Sequence, residues 1–205
     1  MRIKPFVLSE FEVNNYLLIE GKNAVLIDAG FKSEKIETYL IQNRIHLQAI
    51  LLTHTHLDHI GGLESIRRRF NAPVYVHKKE SRWLGDSQLN GSDAFPYFGQ
   101  VICQPADIII ENDGLLDIGD FHFNLFYTPG HTPGGISYLI NDWLFTGDTL
   151  FYRSIGRTDL YGGDQFQLLE TIQKKIFSLP DDIAVFPGHG KETTIGDEKK
   201  LNPFL

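Results

Sequence analysis

Ala49-Ile50-Leu51-Leu52-Thr53-His54-Thr55-His56-Leu57-Asp58-His59 is the stretch on which the reading of this chain turns. The apolar run 49–52 reads as a short buried strand. Four side chains able to hold a metal, His54, His56, Asp58 and His59, follow within six residues. Gly61-Gly62 and an amphipathic segment come next, so the cluster is expected in a loop between the carboxyl end of a strand and a helix. Side chains of an extended backbone alternate with period two, which puts His54 and His56 on one face. In the tight turn beyond, Asp58 and His59 can swing toward the same point from another side. Imidazole and carboxylate suit divalent metals such as zinc, and the stretch offers no thiolate. A polar turn holding three histidines in six positions by coincidence is the weaker reading.

The 205 residues suffice for one large domain or two small ones, and a hydrophobic content of 42% can fill a sizeable core. A formal charge of −7 argues against a general binder of nucleic acid or of anionic membranes. Arg67-Arg68-Arg69 is the exception, on the polar side of a helix predicted from Leu63, Ile66 and Phe70, and is expected to be a solvated face. The single cysteine, Cys103, excludes an internal disulfide and fits a reducing, cytoplasmic setting. No helix start or basic neighbour marks it as a nucleophile. The opening Met1-Arg2-Ile3-Lys4-Pro5 does not read as a signal peptide, and no run reaches the ~18 apolar residues of a membrane span.

Taken in order, Phe6-Val7-Leu8, Asn15 to Ile19 and Ala24 to Ile27 read as an antiparallel meander, closed by Asp28-Ala29-Gly30. Ser33 is placed to cap a helix that buries Ile36 and Leu40. A strand at Pro73-Val74-Tyr75-Val76 follows the Leu63–Phe70 helix. Residues 84–107 then form a long irregular stretch, either a binding loop or a mobile surface excursion. Strands recur at 108–110, 115–118, 121–127, 136–140, 143–145 and 183–186. Asp164 caps a helix with Gln167 three positions on, and Leu168 or Leu169, Ile172 and Ile176 form its apolar stripe. The expected class is α+β: an αββα sandwich of two mixed β-sheets packed face to face with helices outside, in one domain over 1–205.

Three further metal-capable residues share one context, an apolar strand followed by a glycine-containing turn. They are His131 in Tyr127-Thr128-Pro129-Gly130-His131, Asp148 in Phe145-Thr146-Gly147-Asp148, and His189 in Phe186-Pro187-Gly188-His189. Each alone is as readily an ordinary turn. With the first cluster they make five histidines and two aspartates, more than one tetrahedral metal can use and the number a two-metal site needs. His46, His77 and His122 lack this context and are left out.

His54-x-His56-x-Asp58-His59 with His131, Asp148 and His189 in that order resembles the metallo-β-lactamase superfamily. Thr128-Pro129-Gly130-His131-Thr132, Phe145-Thr146-Gly147-Asp148-Thr149 and Gly156-Arg157-Thr158-Asp159 resemble its glyoxalase II-like branch, and the likeness runs from about residue 5 to 192. The resemblance implies two divalent ions, zinc first with iron or manganese as alternatives. His54, His56 and His131 would serve one ion and Asp58, His59 and His189 the other. Asp148 would be the bridging carboxylate, with Asp58 and Asp148 in the catalytic group, and Asp28 an acid holding a ligand imidazole in one tautomer. It further implies hydrolysis of a small-molecule thioester by a hydroxide held between the ions. Full-length hydroxyacylglutathione hydrolases carry a C-terminal helical segment that helps bind glutathione. Only 16 residues (205 − 189) follow His189, so no such domain is expected. Arg157 resembles a basic residue that contacts substrate; the alternative is that it pairs with Asp159 or another acid and only stiffens its loop. The rival enzyme reading is a persulfide dioxygenase with one iron on His54, His131 and Asp148; a non-catalytic metal module is the third. β-Lactamase activity is not expected, because Asp148 stands where many such enzymes have Cys or Ser. No nucleic-acid or membrane partner is expected, and the oligomeric state is left open.

Overall fold

The computed structural model describes residues 1–205, which form two compact units. One comprises Met1–Ile110 with Ile118–Asp120, the other Glu111–Asp117 with Phe121–Leu205.

The first unit is built on a six-stranded sheet in the order β1-β2-β3-β4-β5-β6. Its strands are β1 (Arg2–Leu8), β2 (Val13–Glu20), β3 (Asn23–Ile27), β4 (His46–Leu51), β5 (Val74–His77) and β6 (Ile108–Ile110). The meander expected over β1–β3 is present, with Leu8 opposite Val13 and Glu20 opposite Asn23. From β3 onward every pairing is parallel. The hairpin-like look of the sequence therefore describes only the first half of this sheet. β2 is buried along nearly its whole length and β4 over its last three residues, as strands covered on both faces must be.

Parallel strands need crossovers, and helices supply two of them. Helix α1 (Glu34–Asn43) buries Ile36 and Leu40 and ends on Arg44 in the left-handed region. Ser33 precedes it but does not cap it: its hydroxyl meets Glu37 Oε1 at 3.3 Å instead. Beyond β4 come the one-turn helix α2 (Leu57–Ile60) and α3 (Leu63–Phe70), the latter with the predicted boundaries. Arg67 departs from the expected solvated face. Its guanidinium donates to the carbonyls of Gln104 and Pro105 at 3.2 and 2.8 Å and to Asp107 Oδ2 at 2.7 Å. It thereby ties α3 to the end of the 84–107 segment. That segment is anchored from within at one buried residue. Its Asn90 is fully buried and donates to the carbonyls of Trp83 and Val101 at 3.0 and 2.9 Å.

The second unit has a mixed sheet in the order β14-β13-β10-β9-β8-β7. Its strands are β7 (Gly114–Ile118), β8 (Phe121–Tyr127), β9 (Ile136–Ile140), β10 (Trp143–Gly147), β13 (Ala184–Pro187) and β14 (Thr193–Thr194). Between β10 and β13 lie the short ribbon β11 (Leu150–Phe151) and β12 (Ser154–Ile155) and helix α4 (Gln165–Thr171). Phe121, Phe123 and Leu125 are buried while His122 and Asn124 face water, as the alternation predicts. Asp164 caps α4 by accepting the Gln167 N–H at 3.0 Å. Leu168, Ile172 and Ile176 fill the core with Leu144, Val185 and Ile195. A final helix, α5 (Ile195–Leu201), comes after β14. The expected α+β class, with two mixed sheets and helices, is what the chain adopts. No helix is long and apolar enough to cross a membrane.

Candidate metal centre

β4 is bonded to β3 on one side and β5 on the other, all three parallel, so their carboxyl ends share one edge of the sheet. The chain leaves β4 still extended, with His56 at φ −66°, ψ 150°, and only then turns into α2. His54 and His56 alternate with Thr53 and Thr55, and all four side chains are buried. Asp58 and His59 lie within α2 rather than in an open turn. The ring centroids of His54 and His59 are 4.1 Å apart, those of His54 and His56 4.9 Å. The start of α2 is held by the 84–107 segment, since Leu57 N–H donates to the Asn90 carbonyl at 3.0 Å.

Hydrogen bonds fix the imidazoles. Asp28, just past β3, accepts the Thr53 N–H and hydroxyl, both at 2.7 Å, and meets His59 Nδ1 at 2.8 Å. An ionised carboxylate only accepts, so His59 carries its proton on Nδ1 and presents Nε2 as an electron-pair donor. Thr53 spends its hydroxyl hydrogen on Asp28, so its oxygen accepts from His54 Nδ1 at 3.0 Å. His54 then also presents Nε2.

In the second unit the three candidates follow the strands β8, β10 and β13. His131 follows Gly130, whose φ of +134° favours glycine; a Cβ there would lie 2.3 Å from the Leu168 Cα of α4. His131 Nδ1 donates to the Arg157 carbonyl at 2.7 Å, so it too offers Nε2. Asp148 follows β10, and Gly156 packs so closely under it that a Cβ would lie 1.8 Å from the Asp148 carbonyl oxygen. His189 follows β13, paired in parallel with β10. Asp148 Oδ2 lies 3.6 Å from His131 Nε2 and 3.7 Å from His189 Nε2. In the first unit Asp58 Oδ2 lies 3.8 Å from His59 Nε2.

These separations test the fit of a metal. They are long for hydrogen bonds. Two ligand atoms each ~2.0–2.1 Å from a tetrahedral zinc stand about 3.3–3.4 Å apart, close to what is seen. The donors are imidazole nitrogens and carboxylate oxygens only, the set that suits zinc, iron or manganese. Of the side chains able to hold an ion, His54, His56, Asp58 and His59 belong to the first unit and His131, Asp148 and His189 to the second.

Other sequence candidates fare differently. The Arg157 guanidinium is 61% exposed and forms a two-pronged pair with Asp159, both contacts at 2.7 Å. That bonding holds the Asp159 carboxyl down at about 2. Arg157 reaches the site through its backbone carbonyl. Burial pushes the Cys103 thiol up to about 12, so it is no nucleophile at neutral pH. His77 is buried with its Nδ1 accepting the Lys79 N–H at 3.3 Å, and exposed His122 pairs with Asp117. Sequence reasoning missed Thr53, Thr55 and Glu80. The threonines alternate with the histidines and could have been read as their opposite face; Glu80 carries no local signal.

Residues 8–189 match the family described as the metallo-beta-lactamase superfamily. A "Probable metallo-hydrolase YqgX" of Bacillus subtilis is 42% identical, over 100% of this chain and 98% of its own length. The "Hydroxyacylglutathione hydrolase GloC" of Haemophilus influenzae is 34% identical, over 100% and 98%. Among solved structures, the "BLEG-1 B3 metallo-beta-lactamase" superposes with a TM-score of 0.95 at 45% identity, covering 100% of this chain and 99% of that one.

Proposed function

Since the chain belongs to the metallo-β-lactamase superfamily, we propose that it is a dinuclear metal-dependent hydrolase of small thioesters. In this reading His54, His56 and His131 would hold one ion and Asp58, His59 and His189 the other, with Asp148 a ligand to both. The observation that carries it is the position of Asp148, one of whose oxygens stands 3.6 Å from one ligand nitrogen and 3.7 Å from the other. When bound, two divalent ions supply Lewis acidity, bringing the pKa of water near 7 and polarising a carbonyl. The chain's own part is to hold the ligand atoms. Three imidazoles are locked with Nε2 outward, and two carboxylates, Asp58 and Asp148, offset the positive charge.

Two grounds support the thioester. A thiolate with a pKa of about 8.5 leaves without protonation, whereas an amine needs a proton that carboxylates committed to metal cannot give. A relative matching the whole chain is named a hydroxyacylglutathione hydrolase. β-Lactam hydrolysis at the same centre is the second reading, resting on the 45% identity to BLEG-1. The test is elemental analysis of protein purified without chelator, with rates on a hydroxyacyl-glutathione thioester, a chromogenic β-lactam and glutathione persulfide. Two equivalents of metal with the thioester fastest are expected. A plateau at one iron, with oxygen uptake on the persulfide, would make the chain a dioxygenase instead. A faster β-lactam would establish the second reading.

Arg157 is proposed to receive the carboxylate of the substrate, which its planar fork fits bidentately. The substrate would have to displace Asp159, and the pair is exposed, so the gain is small. Arg157→Ala is expected to raise KM for a carboxylate-bearing thioester roughly three- to tenfold and leave kcat intact. A neutral thioester is the control; an equal loss on both substrates assigns Arg157 to the loop alone.

A further inference from the structure

We propose that Glu80 is a positioning residue for the metal loop, setting the reach of His54 and His56 through the threonine between them. The inference rests on the assignment of those histidines as ligands. Glu80 is fully buried, in the turn after β5. That turn fixes its backbone: its N–H donates to the His77 carbonyl at 3.0 Å and its carbonyl accepts from Trp83 at 2.9 Å. Its Oε2 accepts both the Thr55 N–H at 2.7 Å and the Thr55 hydroxyl at 2.9 Å.

Topology explains why a glutamate 25 residues away can do this. β3 and β5 flank β4 in parallel, so the turns leaving their carboxyl ends lie at the edge where Thr53 to His56 emerge. Asp28 comes from one side and grips Thr53; Glu80 comes from the other and grips Thr55. The extended backbone sends odd and even side chains to opposite faces. Two carboxylates anchor the odd face, and the even face carries the imidazoles. Each threonine is held at two points, N–H and hydroxyl, which fixes the peptide preceding it and the rotamer of its side chain. Without the second anchor, the backbone leading into His56 loses its hold on β5's side of the sheet edge, and the Leu57–Asn90 bond holds only the residue after it.

A buried carboxylate is costly unless hydrogen-bonded, and a neutral amide could accept the same two bonds. That separates positioning from charge. Zinc is titrated into chelator-stripped protein against a competing fluorescent chelator, alongside thermal melts of the metal-free protein. Glu80→Ala is expected to weaken at least one zinc equivalent tenfold or more, the size seen when partners behind metal ligands are removed. Glu80→Gln is expected to stay within about threefold of wild type, because its carbonyl oxygen accepts both bonds. An alanine variant with zinc affinity within twofold of wild type overturns the proposal, whatever its melting temperature. A glutamine variant as weak as alanine overturns it too, and makes the charge of Glu80 the operative feature. If Glu80→Ala does not fold, Thr55→Val carries the test: losing the hydroxyl bond alone should weaken zinc several-fold, and unchanged affinity refutes the idea. Wild type that binds no zinc would instead sink the ligand assignment.

Discussion

Asp148→Ala is expected to lose most bound metal and to lower turnover at least about a thousandfold, roughly 4 kcal/mol of transition-state stabilisation. The size comes from its place. The parallel register of β10 and β13 shifts between Phe145 and Gly147, and the chain then delivers Asp148 from a glycine at φ +51°. A single carboxylate oxygen thus faces both His131 and His189. Without it the second unit offers two neutral imidazoles and no negative charge to offset a dication. Asp148→Asn is the sharper variant, since it keeps the shape and removes only the charge; it should lose one equivalent of metal before the other. Elemental analysis and steady-state rates at saturating zinc check both. The melting temperature of the metal-free variants should not fall below that of metal-free wild type, because a buried carboxylate among imidazoles stabilises the fold little without an ion. Two tightly held metals and an ordinary rate in Asp148→Ala would refute the bridging assignment.

The features that made this site readable are local. An apolar run ending in alternating histidines announces a strand end, and glycine before His131 and Asp148 announces a bend, at φ +134° and +51°. The parallel order β3-β4-β5-β6 was not readable in the same way, because partner choice is settled by residues far apart in sequence. It is that order which brings Asp28 and Glu80 to the metal loop. Ser33 shows the limit of cap reading: its hydroxyl donates to Glu37 Oε1, and its oxygen accepts no N–H from the first turn of the helix. The tail after His189 is mostly polar in sequence, yet it forms β14 and α5. Its buried face includes the fully buried Glu198, bonded to Thr193, Arg153 and Asn202, so apolar periodicity could not reveal the helix. Arg157 was legible as a charge beside the site. That its carbonyl sets the tautomer of His131 was not, since backbone contacts leave no mark on side-chain identity.

Asp28→Asn should weaken one equivalent of zinc between about ten- and a hundredfold. Asp28 sits at φ +59°, and asparagine tolerates that left-handed conformation as well as aspartate does, so the backbone should survive the change. The hydrogen bonds cannot. Three donors converge on the carboxylate: the Thr53 N–H, the Thr53 hydroxyl and His59 Nδ1. The amide has a single acceptor oxygen. If that oxygen faces the Thr53 hydroxyl and His59, the amide nitrogen confronts the Thr53 N–H. If it faces the Thr53 N–H, the nitrogen confronts both others, and His59 is relieved only by moving its proton to Nε2. That tautomer closes the electron pair meant for the ion. Activity of Asp28→Asn should therefore recover as zinc is raised well above the wild-type requirement, with kcat approaching wild type while the half-saturating zinc concentration shifts upward. Asp28→Ala should show the larger metal defect together with a lower melting temperature, since alanine at positive φ adds about 1–2 kcal/mol of strain. An asparagine variant with unchanged zinc affinity would mean that His59 finds its orientation from α2 packing rather than from Asp28.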